Sequence, residues 1–437
     1  MAAIDPQELP GAEQIGDELH GLIRELFPIP RSITGNGLRQ TLELIGKRVP
    51  LEVTEVPSGT PVLDWTVPQE WNISGAWIDG PDGERIVDYA DSPLHVLAYS
   101  VPVRERLPLE ELQQHLFSLP EHPDWIPFRN SYYSANWGFC LQHRLLESLP
   151  EGDYEVCVDS TLEDGSLTYA EAFVPGESEE EVLVSGYADH PAMANDNLSG
   201  LALMALLARE LAGRRLRYSY RFLFSPGTIG PITWLARNEQ RLDRVRHGLV
   251  CLCVGDPGPL TYKKSRRGSA EIDRAAQLVL RDSGELFEVH EWEPWGGDER
   301  QFNSPGFNLP VGTLTRSAPG SFPEYHTSAD DLDFVRPDAL GRSFHAYMAV
   351  FDVLETNAAY VNLSPKGEPQ LGRRGLYRAI GAGHGANVDE LSLLWVLNLS
   401  DGGHTLVEIA EQSGLSYAQV RDAAGTLVEH DLLEVAT

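Results

Sequence analysis

The chain has 437 residues, of which 42% are hydrophobic and 23% charged, and its formal net charge is −31. This composition is that of a globular protein, long enough for about two to four domains around a large buried core. A field this negative argues against nucleic acid and anionic membrane surfaces as partners, and favours a cationic one such as a free amino terminus. An ordinary solvated acidic surface would give the same count.

No run of about 18 apolar residues occurs, so no membrane span is expected. The acidic stretch Met1–Glu18 lacks the basic-then-apolar order of a secretory leader, and a cytoplasmic location is expected. The four cysteines are Cys140, Cys157, Cys251 and Cys253. The last two lie in an apolar run and read as buried thiols, which fits a reducing compartment.

In chain order, the spacing of Leu19, Leu22, Ile23, Leu26 and Phe27 predicts a helix over 17–27, stopped by Pro28 and Pro30. A second helix is expected over 37–49. From Leu51 to about Val103 the segments LEVTEV, DWTV, WNISGAWI and LHVLAYSV alternate between turn pairs, which predicts strands and hairpins. Beyond Asp153 the pattern changes. Strands are expected at 154–158, 181–185, 218–224, 248–254 and 308–314, and helices at 198–212, 229–241 and 337–354. Strands alternating with helices predict an α/β domain with a largely parallel core. A Gly- and charge-rich linker at 366–375 leads to helices at 389–399, 405–414 and 416–430, then Leu432–Val435. That order predicts a winged helix-turn-helix. Acidic residues outnumber basic ones across it, so DNA binding is not expected; docking or homo-oligomer formation is.

Four segments carry candidate chemistry. In SGYADHPAMANDNLSG (185–200) a strand ends, and a loop bears Asp189, His190, Asn195, Asp196 and Asn197 before a helix. Such loops hold ligands in α/β folds, although Asp196 could simply cap the helix. In PEYHTSADDLDF (323–334), His326 is followed by acids of the kind that orient a metal-bound imidazole. A helix capped by Ser328 is the alternative. Asp256 follows an apolar strand in LCVGDPG, where it is either a ligand or a turn residue. In GGDERQF (296–302), Asp298 and Arg300 are candidates for substrate binding, Arg300 as a bidentate carboxylate clamp. A solvated turn is the alternative.

The segments NDNLSG and HTSADDLDF resemble the co-catalytic zinc aminopeptidase superfamily. More closely, the chain resembles a bacterial family of aminopeptidase-like proteins with an inserted β-domain and a C-terminal winged helix. The marks of that resemblance are FPIPRSITGNGLRQTL, PSGTPVLDWTVPQEWNI, SYYSANWGFCL, DSTLEDGSLTYAE, VGDPGPLTYKKSRRG and DERQFNSPGFNLPVGTL.

The resemblance implies an aminopeptidase-like mixed sheet flanked by helices at 1–55 and 126–362, a β-rich insertion at 56–125 and a winged helix at 370–437. It implies one or two zinc ions held by His190, Asp196, Asp256 and His326, with Asp196 in the bridging position. The substrate it implies is a small molecule or short peptide, hydrolysed at an amide. Two positions depart from the pattern. Tyr187 stands where the family carries a His, and Gly227, in Pro226-Gly227-Thr228-Ile229-Gly230, stands where it carries a Glu ligand or base. Three outcomes follow. A single zinc could work with Glu299 or Glu324 as substitute acid/base. Tyr187 could itself be a ligand or oxyanion donor. Or the pocket could be a metal-free relative with a binding or altered catalytic role.

Overall fold

A computed structural model describes residue 4, residues 8–376 and residues 390–436. Asp389, where the sequence starts a helix, lies outside the described residues. The chain divides into two compact units. One comprises 10–268 and 288–345; the other comprises 269–287 and 346–437 together with the described residues through Leu9.

The larger unit opens with α1 (Ala12–Leu26) and α2 (Asn36–Gly46), whose apolar stripes bury Leu19, Ile23 and Leu26 on α1 and Leu38, Leu42 and Ile45 on α2. Its centre is an eight-stranded mixed sheet. The strands are β1 (Glu52–Pro57), β2 (Ser166–Val174), β3 (Glu181–Tyr187), β4 (Ser219–Ser225), β5 (Val245–Cys251), β6 (Leu260–Lys263), β7 (Phe287–His290) and β8 (Val311–Thr315). Their spatial order is β1-β2-β4-β3-β5-β8-β6-β7. The inner strands β4, β3, β5 and β8 run parallel, and β1, β2 and β6 pair antiparallel. Every residue of β3 and β4 is buried. Such strands are covered on both faces, so they read as continuous apolar runs and do not alternate.

Two helices follow the inner strands: α3 (Gly200–Leu211) after β3 and α4 (Ile229–Asn238) after β4. Ten of the twelve α3 residues are buried, because the helix has no solvent face to fill with polar residues. The parallel strands therefore end together at the loops 188–199, 226–228 and 252–259, which is where such a sheet places a site.

The β-rich insertion is larger than its expected bounds. Its antiparallel sheet takes Arg85–Asp88, Glu70–Asp79, Asp153–Glu163 and Val103–Pro108 in that order. The strand expected to open the α/β domain at 154–158 thus lies inside the smaller sheet. Its Tyr154, Val156 and Val158 join Ala76, Ile78 and Leu107 in a separate core. Alternation of inward apolar and outward polar residues is a property of any one-sided sheet, so local pattern alone could not assign this strand. Conversely, β1 lies at the edge of the large sheet.

In the second unit, α5 (Glu271–Asp282) was not expected from the sequence. A three-stranded sheet of Asp401–Thr405, Ala359–Asn362 and Leu433–Val435 carries α8 (Glu390–Leu399), α9 (Leu406–Ser413) and α10 (Tyr417–Glu429). In the larger unit α6 spans Glu299–Phe302, and α7 spans Pro337–Thr356. This winged helix begins at Ala359, ahead of the expected 370. Thr405 and Ser416 cap α9 and α10 as expected, accepting from Glu408 N at 3.3 Å and Gln419 N at 3.2 Å. Gly414 ends α9 with φ +71°, which favours glycine. On α10, Arg421 is committed to Asp352 and, at 3.1 Å, to Asp422. No helix is long and apolar enough to cross a membrane among the described residues.

Candidate metal centre

Strand β3 ends at Tyr187, and the chain turns through 188–199 before α3 begins. Asp196 is held at the floor of this turn, fully buried. Its main chain is fixed from the loop after β8: Asp330 accepts from Asn195 N at 2.6 Å and from Asp196 N at 2.9 Å. Burial, opposed by those amides and reinforced by the charge of Asp196, pushes Asp330 up to about 8. The same loop brings in His326 at φ +58°, and it is pinned by the segment 126–128. Ser328 Oγ accepts from Ile126 N at 2.9 Å, and Phe128 N donates to His326 O at 2.8 Å. Ser328 is thus a loop tie, and no helix starts at it.

Three ligand atoms converge on one point. His190 Nδ1 lies 3.1 Å and His326 Nε2 3.0 Å from Asp196 Oδ2. Among the described residues, His190, Asp196 and His326 form the one group of His, Cys, Asp or Glu side chains whose ligating atoms all lie within 4.8 Å of one another. Tyr187 OH donates to the other oxygen, Asp196 Oδ1. Phe128 packs against both imidazoles, and Tyr325 stacks on His326 at 4.0 Å. Burial alone would raise Asp196, yet His190 and His326 hold it well below the usual carboxylate range. Burial opposes the charge on His190, but Asp196 and then Asp189 push it up to about 9. Burial, then the charge of Asp196, keeps the Tyr187 phenol far above its ordinary value. Tyr187 is therefore a neutral donor.

The donor set suits a divalent transition metal. Two imidazoles and a carboxylate are ligands zinc takes, and three protein ligands leave a position open for substrate or water. The decisive atom is His326 Nε2. It is buried and makes no hydrogen bond, although Asp196 Oδ2 is near enough to accept one. A buried ring nitrogen without an aligned partner is costly unless something else engages it.

The remaining sequence candidates lie around this group. Asp256 accepts from Asn195 Nδ2 at 3.0 Å, Gly258 N at 2.8 Å and Ser317 Oγ at 2.6 Å. Its oxygens are spent on a turn, and the structure does not bring it to the three ligands. Glu299 is buried and paired with Lys263 Nζ at 2.9 Å. The partly exposed Glu324 is also outside the group. Asp298 Oδ1 accepts from Thr228 N at 2.8 Å, while Asp298 Oδ2 is buried without a partner. Burial, opposed by that amide and aided by Asp189 and Glu299, pushes Asp298 up to about 7. Arg300 Nη2 reaches Thr228 Oγ1 at 3.3 Å, and its Nε is unpartnered.

Two further residues contribute: Asp189, which the sequence placed in the loop without a role, and Arg31, which it did not single out. Asp189, buried, accepts from Gly227 N at 2.7 Å and Tyr132 OH at 3.2 Å, and lies 3.7 Å from His190 Nε2. Arg31, 2% exposed, donates through Nε and Nη2 to His190 O at 3.1 and 3.0 Å, and through Nη1 to Leu26 O at 2.6 Å. A charged residue inside the apolar segment FPIPRSITG was the available signal, since arginine is rarely buried without a task.

A mixed sheet with these residues in its loops, followed by a winged helix, defines an aminopeptidase-like α/β protein. Residues 20–357 match a family described as a domain of unknown function, DUF4910, and residues 358–435 match a winged helix-turn-helix family. The chain belongs to the DUF4910 family. A Clostridium acetobutylicum protein, provisionally described as a polysaccharide biosynthesis protein with an aminopeptidase-like domain, is 50% identical over 424 residues, covering 97% of this chain and 98% of its own. A crystal structure from the same organism, provisionally described as a peptidase, superposes with a TM-score of 0.92 at 48% identity, covering 97% of each chain. A zinc aminopeptidase from Bacillus subtilis shares the fold, with a TM-score of 0.58 at 14% identity over 78% of this chain and 95% of its own.

Proposed function

We propose that the chain is a metal-dependent amide hydrolase acting on a small amino-acyl compound, with one zinc ion held by His190, Asp196 and His326. The observation that carries this reading is His326 Nε2, buried, 3.0 Å from Asp196 Oδ2 without an aligned hydrogen bond, converging with two further candidate ligand atoms. Asp256, satisfied by its turn, falls outside the proposed ligand set. Zinc bound there would polarise the scissile carbonyl and lower the pKa of a bound water. The protein's own groups then have separate tasks. Asp330 fixes the Asp196 backbone, Phe128 and Tyr325 hold the imidazoles in place by ring packing, and Asp298 and Arg300 are the polar groups left free for substrate. Of the three acid/base candidates, Tyr187 touches the ligand group, whereas Glu299 and Glu324 do not. The phenol of Tyr187 is the group assigned to orient or donate a proton.

The name of the Clostridium relative supports a place in a biosynthetic pathway, so amino-acylated sugars belong among the substrates screened beside short peptides. A docking or dimerisation role for the winged helix completes the reading and is checked by sedimentation of the full chain.

The test is metal content by mass spectrometry on protein purified without chelator or nickel, beside His326→Ala and Asp196→Ala. About one zinc per chain, lost in both variants together with amide hydrolysis, is expected. No stoichiometric metal after zinc is added back would leave the metal-free relative as the working description.

A further inference from the structure

Two sequence marks, DWTV and SYYSANW, have no part in the metal group, yet the fold brings them to its edge. The hairpin Pro61–Val62 and Trp65–Thr66 buries Val62 and Val67 in the same apolar cluster as Tyr187 and Ile229. Its Trp65 points outward and meets Tyr133 edge-to-face at 5.1 Å. Both rings are solvent-exposed, Trp65 by 37% and Tyr133 by 52%. From there a line of contacts leads inward. Tyr133 meets Tyr132 at 6.3 Å, Tyr132 OH donates to Asp189, and Asp189 lies beside His190. Asp189 also accepts from Gly227 N at 2.7 Å, and the next amide, Thr228 N, donates to Asp298 Oδ1 at 2.8 Å. The line of contacts thus runs from the exposed rings through Asp189 and the 227–228 amides to Asp298 and Arg300, whose Oδ2 and Nε are left unpartnered.

We propose that Trp65 and Tyr133 form a ring-stacking platform at the mouth of the metal group, which selects an amine- or hydroxyl-bearing substrate carrying a six-membered ring. This rests on the reading of His190, Asp196 and His326 as the reaction centre. Three features argue for it. An edge-to-face pair leaves a ring face open to a ligand, and aromatic faces bind flat apolar ring surfaces. Small-molecule sites combine aromatic walls with a few convergent polar groups, and Asp298 Oδ2 is a buried polar atom without a partner. The platform also has a packed support: Tyr132, which Tyr133 meets, is backed from the core by Tyr99, itself stacked on Trp71 at 5.9 Å. The apolar ring face could belong to an aromatic side chain or to a pyranose, and the test separates these.

Isothermal titration on the full chain, as purified and with zinc added, would compare phenylalaninamide, glucosamine and alaninamide. At least one ring-bearing probe is expected to bind about tenfold tighter than alaninamide. Trp65→Ala and Tyr133→Ala should each erase most of that margin while leaving alaninamide unchanged, and Trp65→Phe should keep it. Both side chains are exposed, and circular dichroism checks that the variants fold. Preference for phenylalaninamide identifies an aromatic ring, and preference for glucosamine a sugar. Ring-bearing probes binding no tighter than alaninamide, or a margin that survives both alanine variants, would overturn the platform. A margin that persists in protein binding no zinc would instead sink the reaction centre and leave the platform standing.

Discussion

Replacing Arg31 tests the claim that the metal group is held from behind by a buried charge. Its guanidinium spans His190 O and Leu26 O through three contacts of 2.6–3.1 Å. Burial pulls Arg31 down to about 9, opposed by Asp189, so it remains charged near neutrality. In Arg31→Met, Leu26 O keeps the Ile29 amide at 3.1 Å, whereas His190 O loses both guanidinium donors. A buried carbonyl left without its donor costs about 1–3 kcal/mol, and the loss of charge beside Asp189 adds to that, for roughly 2–4 kcal/mol in all. Arg31→Lys can reach one acceptor and should lose about half as much. Because the carbonyl belongs to a residue of the proposed zinc site, zinc affinity should fall about 10–100-fold, as for other groups that orient a ligand. Urea unfolding of metal-free protein reads the first quantity, and competition with a chromophoric chelator reads the second. An Arg31→Met protein with the parent's midpoint and zinc affinity would refute the reasoning. One that is destabilised but binds zinc normally would reduce Arg31 to a core residue.

Three further outcomes are expected. Gly227→Glu should destabilise more than Gly227→Ala, because a Cβ there already lies 3.2 Å from Asp189 Oδ1; a double-mutant cycle with Asp189→Asn should recover about 1–2 kcal/mol of the excess, and an additive cycle would refute the clash. Asp298 is raised in the folded state from 3.8 to about 7, so its protonated form contributes stability that is fully present below the unfolded value and is lost as pH rises through about 7. Asp298→Asn should therefore lose less stability than the parent across this window, by up to about 4 kcal/mol in urea unfolding; parallel curves would contradict the shift. Arg421 on α10 is already bound to Asp352 and Asp422, so the full chain should not retard duplex DNA at about 10 µM protein in physiological salt; a salt-sensitive shift would restore a DNA-binding role.

The local signals that repeat at short range were legible in the sequence: helix periodicity at α1 and α3, the caps at Thr405 and Ser416, and the loop positions of His190, Asp196 and His326. Partnership was not. Asp256 follows its strand as a ligand would, yet Ser317 and Asn195, far away in sequence, engage it. The strand Asp153–Glu163 has no local mark of which sheet it joins; that depends on its pairing with Glu70–Asp79. Arg31, Trp65 and Tyr133 lay in quoted motifs, but their roles exist only once segments more than sixty residues apart in the chain meet.

The two departures from the family pattern, taken from the sequence as separate losses, form one packing unit in the structure. A side chain at position 227 would begin 3.6 Å from Tyr187 Cβ and 3.2 Å from Asp189 Oδ1. With glycine there, Asp189 can take the Gly227 amide at 2.7 Å. Tyr187, whose six-membered ring is larger than an imidazole, reaches past the same space to Asp196. The phenol gives Asp196 a neutral hydrogen-bond donor where the family pattern implies a ligand imidazole. With Asp196 Oδ1 engaged by that donor and no side chain at 227, the two positions offer no further ligand, while His190, Asp196 and His326 remain the three donors of the proposed single-ion site. Reverting one position alone should therefore fail. Tyr187→His leaves a void beside an unfilled glycine, and Gly227→Glu drives a carboxylate toward Asp189. The two changes make sense only together, and the physical reason is a shared volume a few ångströms across.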